Sequence, residues 1–325
     1  MPGVGMPVVF MFPGQSSRDS GMVERAFQMA PGVAGDVFGE ASELLGRDLR
    51  SHYFDNPAEM FATNRDIQLG VFLVNHVHLK ALEAAGVEAD LSLGLSLGEY
   101  NHVVHIGALD FADAVRLVDE RGRLYSEGPH GVMAAIFPID VDALTPLIED
   151  ASSIGPVGIA VMGSPSQTVV AGQREAVDHV AARADDEEFA QAVTIEERVP
   201  MHVALFEPVA EQFAPVLAAT KWQNANKPYL PNVEGHFVPN DGPSTYIEPL
   251  RRHVYQTVKW RQSIDFLFSE FPAEELVFVE VGPRKSLTNL LSPKWHKTKR
   301  LHTDRPDEPA ERLANVVEEL QNGPR

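Results

Sequence analysis

The segment that most constrains this chain is Gly94-Leu95-Ser96-Leu97-Gly98-Glu99. A short apolar run, Leu91–Leu95, leads into Ser96, and Leu97–Ala108 reads as the helix behind it. A G-x-S-x-G between a strand and a helix marks a turn so sharp that the serine is held at the head of the helix with its hydroxyl exposed. Only glycine fits beside such a serine, because a Cβ would meet neighbouring backbone. Backbone N–H groups at the helix start can hold the negative charge that develops on an attacked carbonyl. The pattern alone also suits a structural turn; the strand before it and the helix after it favour a nucleophile.

The rest of the chain alternates in the way such a turn requires. Met6–Phe12 is a buried-strand pattern stopped by Pro13-Gly14, and helical periodicity predicts helices at roughly 35–47, 67–86 and 110–126. Leu69, Phe72, Leu73 and Val77 share one face of the second, and Gly86 is its expected stop. The middle changes character. Strands are predicted at Gly131–Ile139, Gly158–Met162, Gln167–Gly172 and Ala192–Val199, with helices at Val141–Ala151 and Arg174–Ala184. This β-α-β-β-α-β order is that of a ferredoxin-like unit. Helices at 203–219, 260–270 and Pro309–Leu320 and a strand at Leu276–Val281 complete the chain. The expected architecture is α/β: an α/β-hydrolase-like large domain over 1–129 and 199–325, with an inserted ferredoxin-like small subdomain at 130–198.

Composition narrows the chemistry. A net charge of −19 over 325 residues argues against a nucleic-acid or anionic-membrane binder. The absence of cysteine excludes a disulfide scaffold, a thiolate metal site and a cysteine nucleophile. The N-terminal apolar run lacks a basic region before it, and no stretch reaches the roughly eighteen apolar residues of a membrane helix, so a cytoplasmic protein is expected. No metal-ligand spacing and no nucleotide-binding loop is visible, and neither a metal nor a bound cofactor is expected.

A serine hydroxyl needs a base to become a nucleophile. Of the 12 histidines, His76, His78, His102 and His105 lie in helical segments, where a packed or surface imidazole is the default. His202, in Val199-Pro200-Met201-His202, stands at a loop–helix junction, because Pro200 breaks the preceding strand.

Several segments together resemble the malonyl-CoA:acyl carrier protein transacylase family, which includes the acyltransferase domains of polyketide synthases. Phe12-Pro13-Gly14-Gln15-Ser16-Ser17 resembles the family's FPGQGSQ opening, and Gly94–Glu99 its GHSLGE box. Gln68 resembles the glutamine of its QPA box, without the proline and alanine. Glu120-Arg121-Gly122 falls where the family has its arginine. Val199–His202 resembles the segment ending in the catalytic histidine. Gly163-Ser164-Pro165-Ser166-Gln167 and Val279-Glu280-Val281-Gly282-Pro283 resemble the NSPSQ and VEVGPG boxes. The resemblance implies ping-pong acyl transfer through a serine ester. Ser96 would be the nucleophile, His202 the base and then the acid, and the N–H groups of Gln15 and Leu97 the oxyanion hole. It also implies that a backbone carbonyl orients the histidine, at a place where the family has a glutamine and this chain has His253. The substrates would be phosphopantetheine thioesters of CoA or acyl carrier protein, with a carrier protein as partner.

The family's arginine pairs with the carboxylate of a malonyl group, and Arg121 stands in that place; the plainer alternative ties Arg121 to Asp119 or Glu120. Other pocket positions depart from the malonyl pattern. Leu95 replaces a histidine, Tyr125 a methionine and Gly163 an asparagine, and Met201 precedes the catalytic histidine. Two acyl classes follow: a malonyl-like unit from Arg121, or an atypical aminoacyl or dipeptidyl unit from Leu95, Met201 and Gly163. An acidic carrier needs a basic landing patch. Lys297, Lys299 and Arg300 are the candidates, ahead of Arg251, Arg252, Lys259 and Arg261, with Phe206 adding an apolar contact at the site entrance. A stand-alone, trans-acting transferase of polyketide biosynthesis is the favoured reading. An editing hydrolase of carrier-bound acyl groups is the alternative. A non-catalytic scaffold would need none of Ser96, His202, Gln15 and Arg121, and a lipase would place its acid and histidine in the C-terminal part.

Overall fold

The computed structural model of the chain describes residues 6–55, 60–291 and 297–322. Its architecture is mixed α/β. Among the described residues the strands are β1 (Val8–Phe12), β2 (Leu91–Gly94), β3 (Val132–Phe137), β4 (Val157–Ser164), β5 (Gln167–Gly172), β6 (Gln191–Glu196), β7 (Val277–Glu280) and β8 (Lys299–His302). They form two separate sheets, which belong to two compact units.

The first unit comprises Met1–Gly122, Lys221–Tyr229 and Phe268–Arg325. Its sheet has the order β2-β1-β7-β8 with every pair parallel. Parallel neighbours need crossover connections that carry helices over the faces, which is why β2 and β7 are buried along their whole length. Phe10, Phe12 and Val279 of the sheet share one apolar cluster with Leu79 and Leu82, on the helix Asn64–Ala84, and Val316, on the helix Pro309–Asn322. Thr63 caps the first of these helices by accepting from the Asp66 N–H. Gly86, at φ 74°, follows its end as the sequence predicts.

The second unit comprises Arg123–Thr220 and Leu230–Leu267. Here β3, β4, β5 and β6 pair antiparallel in the order β4-β5-β3-β6. The helices Val141–Ala151 and Arg174–Glu188 pack on the sheet through Leu144, Leu147, Val177 and Val180, against Val132, Ile136 and Val170. This unit is wider than residues 130–198 because backbone bonds tie later segments to the sheet. Val258 N–H donates to the Ala160 carbonyl at 2.9 Å, and Met162 N–H to the Val258 carbonyl at 2.9 Å.

Four helices and one strand among the described residues lie outside the segments predicted from periodicity: Met22–Met29, Leu49–Asp55, Ile247–His253, Ser286–Leu290 and β8. The helices are of 8, 7, 7 and 5 residues and the strand of 4, so an amphipathic repeat has at most about two turns in which to show.

Candidate active site

In the first unit the serine turn is closed by backbone on every side. β2 ends at Gly94 and the next helix runs Gly98–His105. Ser96 sits between them at φ 53°, a left-handed conformation that L-residues avoid. A Cβ at Gly94 would overlap the Gly98 carbonyl, and one at Gly98 would overlap the Phe12 carbonyl. A Cβ at Gly14 would come within 2.8 Å of the Leu95 carbonyl. The Leu95 N–H in turn donates to the Phe12 carbonyl at 3.0 Å, which fixes the turn to the end of β1. Ser96 keeps 6% of its surface, and Leu97 begins the helix behind it. Gln15 opens a short 3₁₀ turn, Gln15–Ser17, directly after β1 and is buried.

Two residues that support this turn carry no motif in the sequence. Asn75 donates to the Pro13 carbonyl at 3.0 Å and to Asn101 Oδ1 at 2.9 Å, and Asn101 donates to the Phe72 carbonyl at 3.1 Å. Both amides are fully buried, and they join the 13–14 loop, the helix Asn64–Ala84 and the helix behind Ser96. The one available signal was an asparagine on the apolar side of each helix.

Arg121 is fully buried at the end of the same unit. Its Nη1 donates to Gln68 Oε1, Gln68 Nε2 donates to Asn64 Oδ1, and the guanidinium lies 5.2 Å from the Tyr100 ring centroid. The structure thus joins Gln68 and Arg121. Asp119 is engaged elsewhere: Arg65 clamps it with bonds of 2.7 and 2.5 Å, and Arg47 stands 3.6 Å away.

The helical histidines are packing residues. Burial pushes His76 and His102 down to about 3 and His78 and His105 to about 4, so all four imidazoles are neutral. His102 and His105 both meet the Ser92 hydroxyl through Nδ1, at 2.7 and 2.8 Å.

In the second unit His202 lies in a turn at φ 64° and keeps 1% of its surface. Its N–H donates to the Val254 carbonyl at 3.1 Å. Its Nδ1 stands 2.6 Å from the His253 carbonyl. A carbonyl only accepts, so Nδ1 carries the proton and Nε2 is the basic nitrogen. His253, at the end of the helix Ile247–His253, also lays its ring flat on His202, with centroids 4.7 Å apart and 12° between planes. A cavity of about 530 Å³ is lined by His202, Val203, Ala204, Leu205, Tyr255 and Lys259, among others. Met201 is buried beside His202 in sequence, and Gly163 is buried in β4.

Phe206 is a correction. Expected as an apolar contact at an entrance, it is fully buried and packs edge-on against Tyr125, with centroids 4.9 Å apart. A ring with no exposed surface offers nothing to a carrier protein, and its energetic place is in the core.

The basic candidates divide. Lys297 is exposed, whereas Lys299 and Arg300 belong to β8. Lys299 Nζ lies 3.1 Å from Glu319, and Arg300 donates to the Leu291 carbonyl while burial holds its pKa below the usual arginine range. Lys294, Trp295 and His296 lie outside the described residues. Arg251 pairs with Glu248 and Glu211, Arg252 with Glu234, and Arg261 with Asp265, so these three are balanced by acidic neighbours, whereas Lys259 lines the cavity beside His202. Among the described residues no group of His, Asp and Glu could hold a metal ion, and no helix is long and apolar enough to cross a membrane.

Residues 9–306 match the acyl transferase domain family. The chain belongs to that family. It is 30% identical to the malonyl CoA-acyl carrier protein transacylase of Bacillus subtilis (strain 168), over 97% of this chain and 99% of that protein. The malonyl CoA-acyl carrier protein transacylase of Clostridium perfringens superposes with a TM-score of 0.86 at 27% identity, covering 97% of this chain and 98% of that one. A malonyl-transacylase solved with its type II polyketide synthase acyl-carrier protein superposes with a TM-score of 0.85 at 27% identity, covering 95% and 99%. This acyl transferase therefore holds, in its elbow serine and its carbonyl-oriented histidine, the residue types that acyl transfer requires.

Proposed function

We propose that the chain is an acyl carrier protein S-acyltransferase that works through an ester on Ser96. The observation that carries this reading is the left-handed backbone at both residues: Ser96 at φ 53° and His202 at φ 64°, two of four non-glycine residues held there among the described residues. Such backbone persists only where its surroundings force it, and a site that must hold a hydroxyl and an imidazole in fixed directions supplies the reason.

In the forward half-reaction Ser96 Oγ attacks the thioester carbonyl of an acyl-phosphopantetheine, and Nε2 of His202 takes the hydroxyl proton. The N–H groups of Gln15 and Leu97 receive the oxyanion. On collapse the carbon–sulfur bond breaks, His202 returns the proton to the leaving thiolate, and the acyl group stays on Ser96. A carrier-protein thiol then attacks the ester with the same two groups in reversed roles. No metal or bound cofactor enters these steps; CoA and carrier-protein thioesters are substrates, and an acyl carrier protein is the partner. The proposed setting is the cytoplasm, serving fatty-acid or polyketide assembly.

The favoured acyl unit is malonyl-like. Arg121, buried and braced by Gln68, has the fork that a terminal carboxylate fits bidentately, and the curated relatives are named for malonyl transfer. Leu95, half-buried beside the serine, and the buried Met201 favour an atypical, less polar unit as the second reading. We take the large unit as α/β-hydrolase-like and residues 130–198 as a ferredoxin-like subdomain, since β4-β5-β3-β6 with two helices on one face is that arrangement.

The test is intact-protein mass spectrometry after incubation with malonyl-CoA and, separately, an aminoacyl carrier protein. Wild type should gain a malonyl adduct, Ser96→Ala none, and Arg121→Ala should be labelled about a hundredfold more slowly. Labelling by the aminoacyl carrier alone would replace the malonyl reading with the atypical one. Release of free acid in the presence of a carrier thiol would replace transfer with hydrolysis. Adducts that survive Ser96→Ala would end the proposal.

A further inference from the structure

We propose that the ring of His253, and not only its carbonyl, positions the His202 imidazole for proton transfer. The inference rests on the reading of His202 as the base. The resemblance gives residue 253 a backbone role only, and the glutamine it expects there has no ring, so the stack belongs to this chain.

One residue meets the imidazole in two perpendicular directions. The His253 carbonyl accepts from Nδ1 in the plane of the ring at 2.6 Å, and the His253 ring covers its face at 4.7 Å and 12°. The carbonyl alone leaves a freedom. Hydrogen bonds to a carbonyl tolerate a broad range of angles, and the outer torsion of histidine is a soft, broad one. The imidazole could therefore swing about its Nδ1–oxygen line with little loss, carrying Nε2 with it. A flat neighbour removes that swing, because rotation would break the stack. Both rings keep only 1% of their surface, so neither is loosened by water. His253 is itself fixed as the last residue of the helix Ile247–His253, and the next carbonyl, Val254, holds the His202 N–H at 3.1 Å. The ring has a second consequence. When Nε2 takes the serine proton, the new cation lies over a π face, which attracts it.

The experiment measures the burst of Ser96 acylation by p-nitrophenyl acetate, an activated ester that makes no demand on the acyl pocket, in wild type and in His253→Phe, His253→Leu and His253→Gln. All three substitutions keep the backbone carbonyl. His253→Phe keeps a flat ring and should acylate within about threefold of wild type. His253→Leu and His253→Gln should be slower by about tenfold, with half-saturation unchanged and melting temperatures equal to that of His253→Phe. Wild-type rates in the leucine and glutamine variants would overturn the proposal, as would an equal loss in all three. Ser96→Ala separates the two readings. If it still gives the burst, the assignment of the nucleophile fails; if it gives none while His253→Leu is normal, only the stack fails.

Discussion

Ser96 and His202, both left-handed, reach the same backbone region by opposite routes. The Ser96 turn is forced by its immediate neighbours: Gly94 and Gly98, two residues to either side, are the only residue type that clears the Gly98 and Phe12 carbonyls. The His202 turn has no glycine beside it and is held from a distance, by the bond of its backbone N–H to the Val254 carbonyl. A strained residue can be imposed by local crowding or by remote hydrogen bonds, and only the first route leaves a mark in the adjacent sequence.

This difference can be broken by mutation. The largest effect is expected from Gly98→Ala, whose new Cβ would overlap the Phe12 carbonyl, a backbone atom that cannot step aside. It should cost about 3 kcal/mol or more and lower the melting temperature by at least about 4 °C. A variant as stable as wild type would show that the turn is not set by crowding. His202→Gly should behave in the opposite way. Glycine adopts φ 64° freely, so the fold should survive with a melting temperature within a few degrees of wild type, while acylation of Ser96 slows by about a thousandfold. A large loss of stability there would mean that the imidazole, and not the backbone bond to Val254, holds the turn.

The smallest effects concern the basic surface, where the same contrast of local pattern and remote contact appears. Lys297→Glu should raise half-saturation for an acidic carrier protein by about three- to tenfold, leaving acylation of Ser96 by CoA thioesters unchanged. Lys299→Ala should change it by less than about twofold, because Glu319 already balances that charge at 3.1 Å. Equal effects at both positions would show that Glu319 gives way when a carrier arrives.

The four strands of the second sheet, the strand–turn–helix at Ser96 and the stop at Gly86 were legible because they rest on short-range rules: alternation, helical period and the space beside a glycine. The basic run at 294–300 misled for the same reason. Its charges look alike in a row, yet Lys299 and Arg300 are drawn into β8 by pairing with β7, which the run itself does not encode. Phe206 misled by spacing, since a residue one turn after His202 can face the core as easily as an opening.

The sequence by itself determined that this chain folds as α/β, that a serine stands at a sharp elbow, and, through ordered motifs, which family it joins. The motifs pointed to His202, but only the tertiary structure fixes its tautomer, with Nε2 basic, and shows by what means. That choice needs a carbonyl 51 positions away to fix the tautomer, a second ring to cover the first, and burial to silence the four helical imidazoles. Each is an effect of distance and exclusion of water, quantities that exist only once the chain has closed on itself.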